Sequence, residues 1–216
     1  VLRPLEEVCF VAAEALAARA GELDEEQSPY GLDALDELAL CQLLRDGFAS
    51  AGFGVAAEAP YPSAFSTRRR SEGGRCDIVL TASPDRPLSV DPRAGPLFCA
   101  HGAAPAEAIW LEVKVARQFA ITSGAAGPSS GYASQLLRET TADVRKLAGE
   151  EGLGLAAALL LHFTASLEVA RRDLATLVER CLERGLPIDS PVVERRPLTD
   201  RLGNALLSVV ALRVRP

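Results

Sequence analysis

The sequence predicts an α/β fold in which a mixed β-sheet is flanked by helices. Three observations carry this reading. Residues 75–82 and 108–116 are dense in apolar and β-branched side chains, as strands require. Residues 153–163 form a continuous apolar run, suited to a strand buried on both faces. Helical patterns lie between and after these strands, and strands alternating with helices imply a sheet covered by helices.

Taken in order, residues 5–20 are Ala-rich and helical in pattern, with Gly21 as the expected stop. An acidic, turn-rich segment follows over 22–31. Asp33 is placed to cap a second helix that runs to about Ser50, with Gly52 beyond it. Residues 54–61 read as a strand, stopped by Pro60 and Pro62, and 63–74 as a polar loop holding Arg68, Arg69 and Arg70. After the strand at 75–82, residues 83–107 read as an insertion. Pro84, Pro87, Pro92, Pro96 and Pro105 break helix and strand alike there. The strand at 108–116 leads into 121–131, a Gly-, Ser- and Ala-rich stretch expected to be flexible. A helix over 133–148 closes at Gly149. The apolar strand at 153–163 is followed by a helix over 166–184, capped by Ser166 and stopped by Gly185 and Pro187, and by a last strand over 205–215. The expected order is α, α, β, β, β, α, β, α, β. One domain is expected over 1–216, with a core at about 33–163 and the helix at 5–20 and the helix–strand at 166–215 as additions.

Composition narrows the function classes. The chain has 216 residues, 48% apolar and 24% charged, which places it among globular proteins rather than disordered or collagen-like ones. The longest apolar stretch is too short to span a bilayer as a helix. Glu6, Glu7 and Glu14 interrupt the N-terminal apolar residues, against a secretory leader. The formal charge of −6 makes the chain no obvious nucleic-acid binder, although clustering of Lys and Arg matters more than the total. Five scattered cysteines (Cys9, Cys41, Cys76, Cys99, Cys181), no CxxC pair and two histidines argue against structural zinc. A reducing, cytoplasmic setting is expected.

Chemistry is signalled by charges inside strands. Side chains alternate along a strand. In 109–115, Glu112 and Lys114 therefore share one face while Leu111, Val113 and Val115 take the other. Asp77 stands within the apolar strand at 75–82. A carboxylate in a core strand is costly unless it is paired or binds a metal. If the two strands are neighbours, Asp77, Glu112 and Lys114 converge. On the second helix, Leu44 and Phe48 bracket Glu37 within about 20° at 100° per residue, so Glu37 is expected to point inward.

Asp77, then Glu112-Val113-Lys114 on the next strand, preceded by a helix with an inward Glu37, resembles the PD-(D/E)XK nuclease superfamily. The resemblance covers about 33–163. Glu58-Ala59-Pro60-Tyr61-Pro62 and the Gln135…Asp143…Lys146 helix are also similar to many members. It departs from the pattern in having Cys76 where many members have Pro, and in the long gap between Asp77 and Glu112.

The resemblance implies a restriction-endonuclease-like three-layer core and Mg²⁺- or Mn²⁺-dependent phosphodiester hydrolysis, more of DNA than of RNA. Asp77, Glu112 and the Val113 carbonyl would hold the metal, since Mg²⁺ takes hard oxygen ligands. Lys114 would orient or deprotonate the attacking water and balance developing charge. Glu37 would hold a metal-bound water or assist a second ion. Arg68, Arg69, Arg70 and Arg75 would grip the phosphate backbone. Glu58 and Gln135 are further candidates, each weighed against a solvent-facing position.

Lys146 is expected at the surface, Tyr132 in packing, and His101 and His162 in structural roles. Cys76 is expected to be a buried small residue rather than a nucleophile. A homodimer or a targeting protein would supply specificity; no membrane partner is expected. The competing reading is a catalytically silent member acting as a binding or assembly subunit. Genome defence, repair and mobile-element biology all suit the leading reading.

Overall fold

The computed structural model describes residues 2–65, 74–89, 102–122 and 124–215. Its centre is a six-stranded sheet in the order β1-β2-β3-β6-β8-β7, built from β1 (Gly54–Pro60), β2 (Arg75–Thr81), β3 (Ile109–Arg117), β6 (Leu155–Thr164), β7 (Val192–Pro197) and β8 (Leu206–Val214). Strands β4 (Phe119–Thr122) and β5 (Ala125–Pro128) form a separate hairpin. All neighbours in the sheet are antiparallel except β3 and β6, which run parallel. A parallel pair needs a crossover. Here the crossover holds the hairpin, a π-helical segment Ser134–Glu139 and helix α3 (Thr140–Ala148).

Helices cover both faces. Helices α1 (Leu5–Glu25) and α2 (Glu37–Ser50) pack on one face, against Ile109, Leu111, Val113 and Val115 of β3 and their counterparts on β6 and β8. Helices α3 and α4 (Leu167–Glu183) pack on the other, over Trp110, Ala116, Ala158, Leu160, Val210 and Leu212. The strict alternation along β3 divides the two clusters, as a sheet buried on both faces demands. The layered α/β expectation therefore holds.

Helices α1 and α2 approach closely. A Cβ placed on Gly47 would stand 2.4 Å from the Ala15 Cβ, so only glycine permits this contact.

Several boundaries differ from those expected. Helix α1 runs through Gly21 to Glu25, because Leu23, seven residues beyond Leu16, continues the buried stripe and Arg19 pairs with Glu22 and Glu26. Helix α2 is capped by Asp36, whose carboxylate accepts from the Ala39 N–H at 2.7 Å, not by Asp33. Asp33 is instead buried, bonded to the Asn204 amide at 2.7 Å. The stretch expected to be flexible forms the β4–β5 hairpin. Strand β7 was not expected at all: Glu194, Arg195, Arg196 and Pro197 carry no apolar strand pattern, yet this composition is how an edge strand is protected from further pairing. Within the insertion, Leu88 bridges Ala103 and Pro105–Glu107 form a short helical turn; residues 90–101, with Cys99 and His101, lie outside the described residues. Among the described residues no helix is long and apolar enough to cross a membrane.

Candidate active site

The site forms where two neighbouring ladders fail. Between β2 and β3 the pairing ends at Ile78 and Leu111. Between β1 and β2 the pair Glu58 and Asp77 drops out of an otherwise continuous register. Glu58 takes a left-handed conformation there, with φ 48°, which is unusual for a residue with a side chain. The strand turns at this point. Ile78 packs with the α1/α2 cluster, while Cys76, two residues away, packs with the other. This kink re-aims Asp77 toward β3, where its Oδ2 accepts from the Val113 N–H at 2.7 Å.

Glu112 lies on the α3 face of β3 and is 4% exposed. Its Oε1 accepts from the Lys146 ammonium at 2.8 Å and from the Tyr61 hydroxyl. Burial raises its carboxyl above the ordinary range; the Lys146 and Tyr61 bonds pull it back, and the Asp77 charge adds to the rise. Lys146 also donates to the Arg75 carbonyl at 2.7 Å and stands 5.0 Å from the centre of the Tyr61 ring, which stacks on Trp110. Lys114 follows on the same face. Its ammonium is 3.6 Å from Glu37 and 3.9 Å from Asp143. Burial works against its charge, but Asp143, Glu37 and Asp77 outweigh that and raise its pKa.

Asp143 completes the group from α3. Its carboxyl is pushed up to about 7, by burial first and by the Glu112 and Asp77 charges, with Lys114 opposing. Its Oδ2 is buried with no hydrogen-bond partner. Four carboxylates (Glu37, Asp77, Glu112, Asp143) thus surround two ammonium groups (Lys114, Lys146).

The structure brings Asp77, Glu112 and Lys114 together, as their strand positions imply. It corrects two expectations. Glu37 does not point into the core: α2 starts at this residue, and its side chain is 47% exposed and reaches Lys114 from the helix end. Lys146 is no detached surface residue, because its ammonium binds Glu112. Val113 buries its side chain under α1 and α2. Glu58 exposes its side chain and contributes a backbone kink, its carbonyl accepting from the exposed Arg75 at 2.8 Å. Gln135 is half-buried in the π-helical segment, with its Oε1 buried and without a partner. Such segments are frequent at functional sites. Arg68, Arg69 and Arg70 lie outside the described residues. Cys76 is buried, as expected of a small core residue.

Tyr61, Lys146 and the role of Asp143 were missed. Asp143 and Lys146 sit three apart, one helical neighbourhood on a single face of α3, and that spacing is the signal that was present.

Among the described residues, no three His, Cys, Asp or Glu side chains stand close enough together to form a metal cage. The donor chemistry nonetheless fits one hard divalent ion. Two strand carboxylates flank the gap in the ladder, and the group carries more carboxylates than ammoniums.

Comparison of the chain with protein-family models, with curated proteins and with solved structures finds no match.

Proposed function

We propose that this chain is a metal-dependent nuclease of the PD-(D/E)XK type, acting on DNA in genome defence, repair or a mobile element. One observation carries the reading: Asp77 and Glu112 flank the point where β2 and β3 part, with Lys114 two residues on. The order α2, β1, β2, β3, α3, β6, with β3 and β6 parallel, supports a restriction-endonuclease-like core.

Asp77, Glu112 and the Val113 carbonyl would hold Mg²⁺ or Mn²⁺. A divalent ion there supplies Lewis-acid polarisation of the phosphate and acidifies water. Lys114 keeps a fixed positive charge beside the carboxylates, where negative charge develops on the phosphoryl group. Tyr61 and Lys146 orient Glu112 by converging on one oxygen. Asp143, with its raised pKa, exchanges a proton near neutral pH beside Lys114. Glu37 holds Lys114 from the opposite side. Arg68 to Arg70 and Arg75 contact the phosphate backbone, and a second copy or a targeting protein supplies specificity.

The test is cleavage of supercoiled, linear and single-stranded DNA with Mg²⁺ or Mn²⁺, beside Asp77→Asn and Lys114→Ala. Metal-dependent cutting abolished in both variants supports the nuclease; cutting that survives both is a contaminant. A second reading, a catalytically silent binding subunit, is favoured by the Lys146 ammonium on Glu112, which neutralises the carboxylate without a metal. Calorimetry separates the two: the silent subunit binds no divalent ion and cuts none of these substrates.

A further inference from the structure

A second polar constellation lies on the α3/α4 face, away from the carboxylates. His162, Ser208 and Arg195 stand directly opposite one another on β6, β8 and β7. Their neighbours two residues back or on, Leu160, Val210 and Val193, pack with the α3/α4 cluster, so the row faces α4. His162 and Ser208 are 0% and 1% exposed.

The hydrogen bonds fix the histidine tautomer. Tyr132 has one hydroxyl proton, which it gives to Asp173, a carboxylate that also pairs with Arg172 at 2.9 Å. The 2.7 Å contact between the Tyr132 oxygen and His162 Nε2 is therefore donated by the ring. Nδ1 is left as a bare acceptor. It has no partner, and neither have Ser208 Oγ and Arg195 Nε, all three being buried. Three orphaned polar atoms on three adjacent strands run against the rule that buried polar groups are satisfied.

Arg195 opens from this row into a groove of about 700 Å³ between α4 and the start of β7. The groove is shallow and open to solvent, so a ligand would lie along it rather than be enclosed. Arg171 stands at the same end; burial first and the Arg171 charge next lower the pKa of Arg195, with Glu194 opposing. Among the described residues neither arginine pairs with a carboxylate. The walls beyond them are Leu174, Val178, Leu182 and Pro191, and two acidic residues, Glu179 and Glu183, line the same groove about 12 and 18 Å from Arg171 along the helix.

We propose that this groove binds a small amphiphilic anion, a medium-length apolar chain with a carboxylate or phosphate head. The head sits between Arg171 and Arg195, and the chain lies along Leu174, Val178 and Leu182. Two unpaired guanidiniums demand a negative partner, and the apolar walls exclude a bare ion as the whole ligand. The acidic far end disfavours a second negative group. The His162 acceptor and the Ser208 hydroxyl behind Arg195 give that guanidinium a polar floor, and its outer nitrogens are left to the ligand. This site is independent of the nuclease reading.

The test is calorimetric titration of the full chain with decanoate and decyl phosphate, each kept below its micelle concentration. Decanol, decyltrimethylammonium, inorganic phosphate and anionic lipid vesicles are the comparisons. Expected is saturable binding of one or both anions with one equivalent, at least tenfold tighter than decanol, and tenfold weaker in Arg171→Gln and Arg195→Gln. The preferred head distinguishes carboxylate from phosphate. Arg171 is exposed, so its variant folds, and circular dichroism checks both. Equal affinity for decanol, unchanged affinity in Arg171→Gln, binding to vesicles alone, or no binding of either anion at millimolar concentration would each overturn the proposal.

Discussion

The two faces of the sheet are made by the same strands and differ in kind. Toward α1 and α2, β3 offers Ile109, Leu111, Val113 and Val115, and β6 offers Ala157, Leu159, Leu161 and Phe163 without one polar atom in their side chains. Toward α3 and α4, the alternate residues include Glu112, Lys114 and His162, met by Tyr132, Asp143, Lys146 and Asp173. One face holds the fold by burial alone. The other buries charge, which costs free energy, and it is on this face that the proposed function places its chemistry.

The contrast is sharpest in paired substitutions. Leu159→Ala, on the apolar face, should cost about 2–5 kcal/mol in urea or thermal unfolding, through lost burial plus a cavity. Cleavage per folded molecule should be unchanged. Lys114→Ala, on the other face, should do the reverse. On the proposed function it lowers the cleavage rate about 10²–10³-fold, an effect of about 3–4 kcal/mol on the barrier, while costing less stability than Leu159→Ala. Equal loss of stability in the two variants would erase the distinction between the faces.

Titration sharpens the same contrast, since Asp143 and His162 both belong to the polar face. The Asp143 carboxyl is raised in the folded state to about 7. Its contribution to stability is complete below its unfolded value, near 4, and is lost as pH rises through about 7. His162 is held neutral by burial, its pKa lowered to about 4. Its contribution is complete above about 6.5 and is lost as pH falls toward 4. Between about pH 4 and 6.5 the two dependences have equal and opposite slopes and offset each other, so the parent chain holds a plateau there and loses stability only from about 6.5 to 7. Asp143→Asn should unmask the histidine, with stability rising by up to about 3 kcal/mol from about pH 4 to 6.5, and His162→Gln should unmask the aspartate, with stability falling by up to about 4 kcal/mol from about pH 4 to 7. Unfolding free energies measured from pH 4 to 8 check both; a pH profile unchanged in Asp143→Asn would remove that residue from the account. The smallest effect belongs to neither face. Gly21 lies exposed inside α1 with nothing near its missing Cβ, so Gly21→Ala should raise stability by about 0.5–1 kcal/mol.

The strand chemistry was legible because period-two alternation is local. Glu112 and Lys114 fall on one face whatever β3 packs against, and an acid in an apolar strand stands out. Tyr61, Asp143 and Lys146 were not legible as a site because the crossover after β3 decides which way α3 faces, and only that packing sets Lys146 on Glu112. Glu37 was misread for a related reason. Its helical phase was right, but a cap shifted from Asp33 to Asp36 makes it the first residue of α2, beyond the core it would otherwise enter. The fold was readable where apolar patterns were strong. It was not readable at β7, whose charges protect an edge, or at the small-residue hairpin, whose pairing is made by backbone.

The contact between Gly47 and Ala15 has a mechanical consequence. Helix α2 is a rod with its fulcrum at Gly47 and its tip at Glu37, ten residues or about 15 Å away. A single methyl group added at the fulcrum forces the rod off α1, and the displacement is delivered at the tip, where Glu37 meets Lys114. A position that touches no charged group thereby sets the alignment of the charged one.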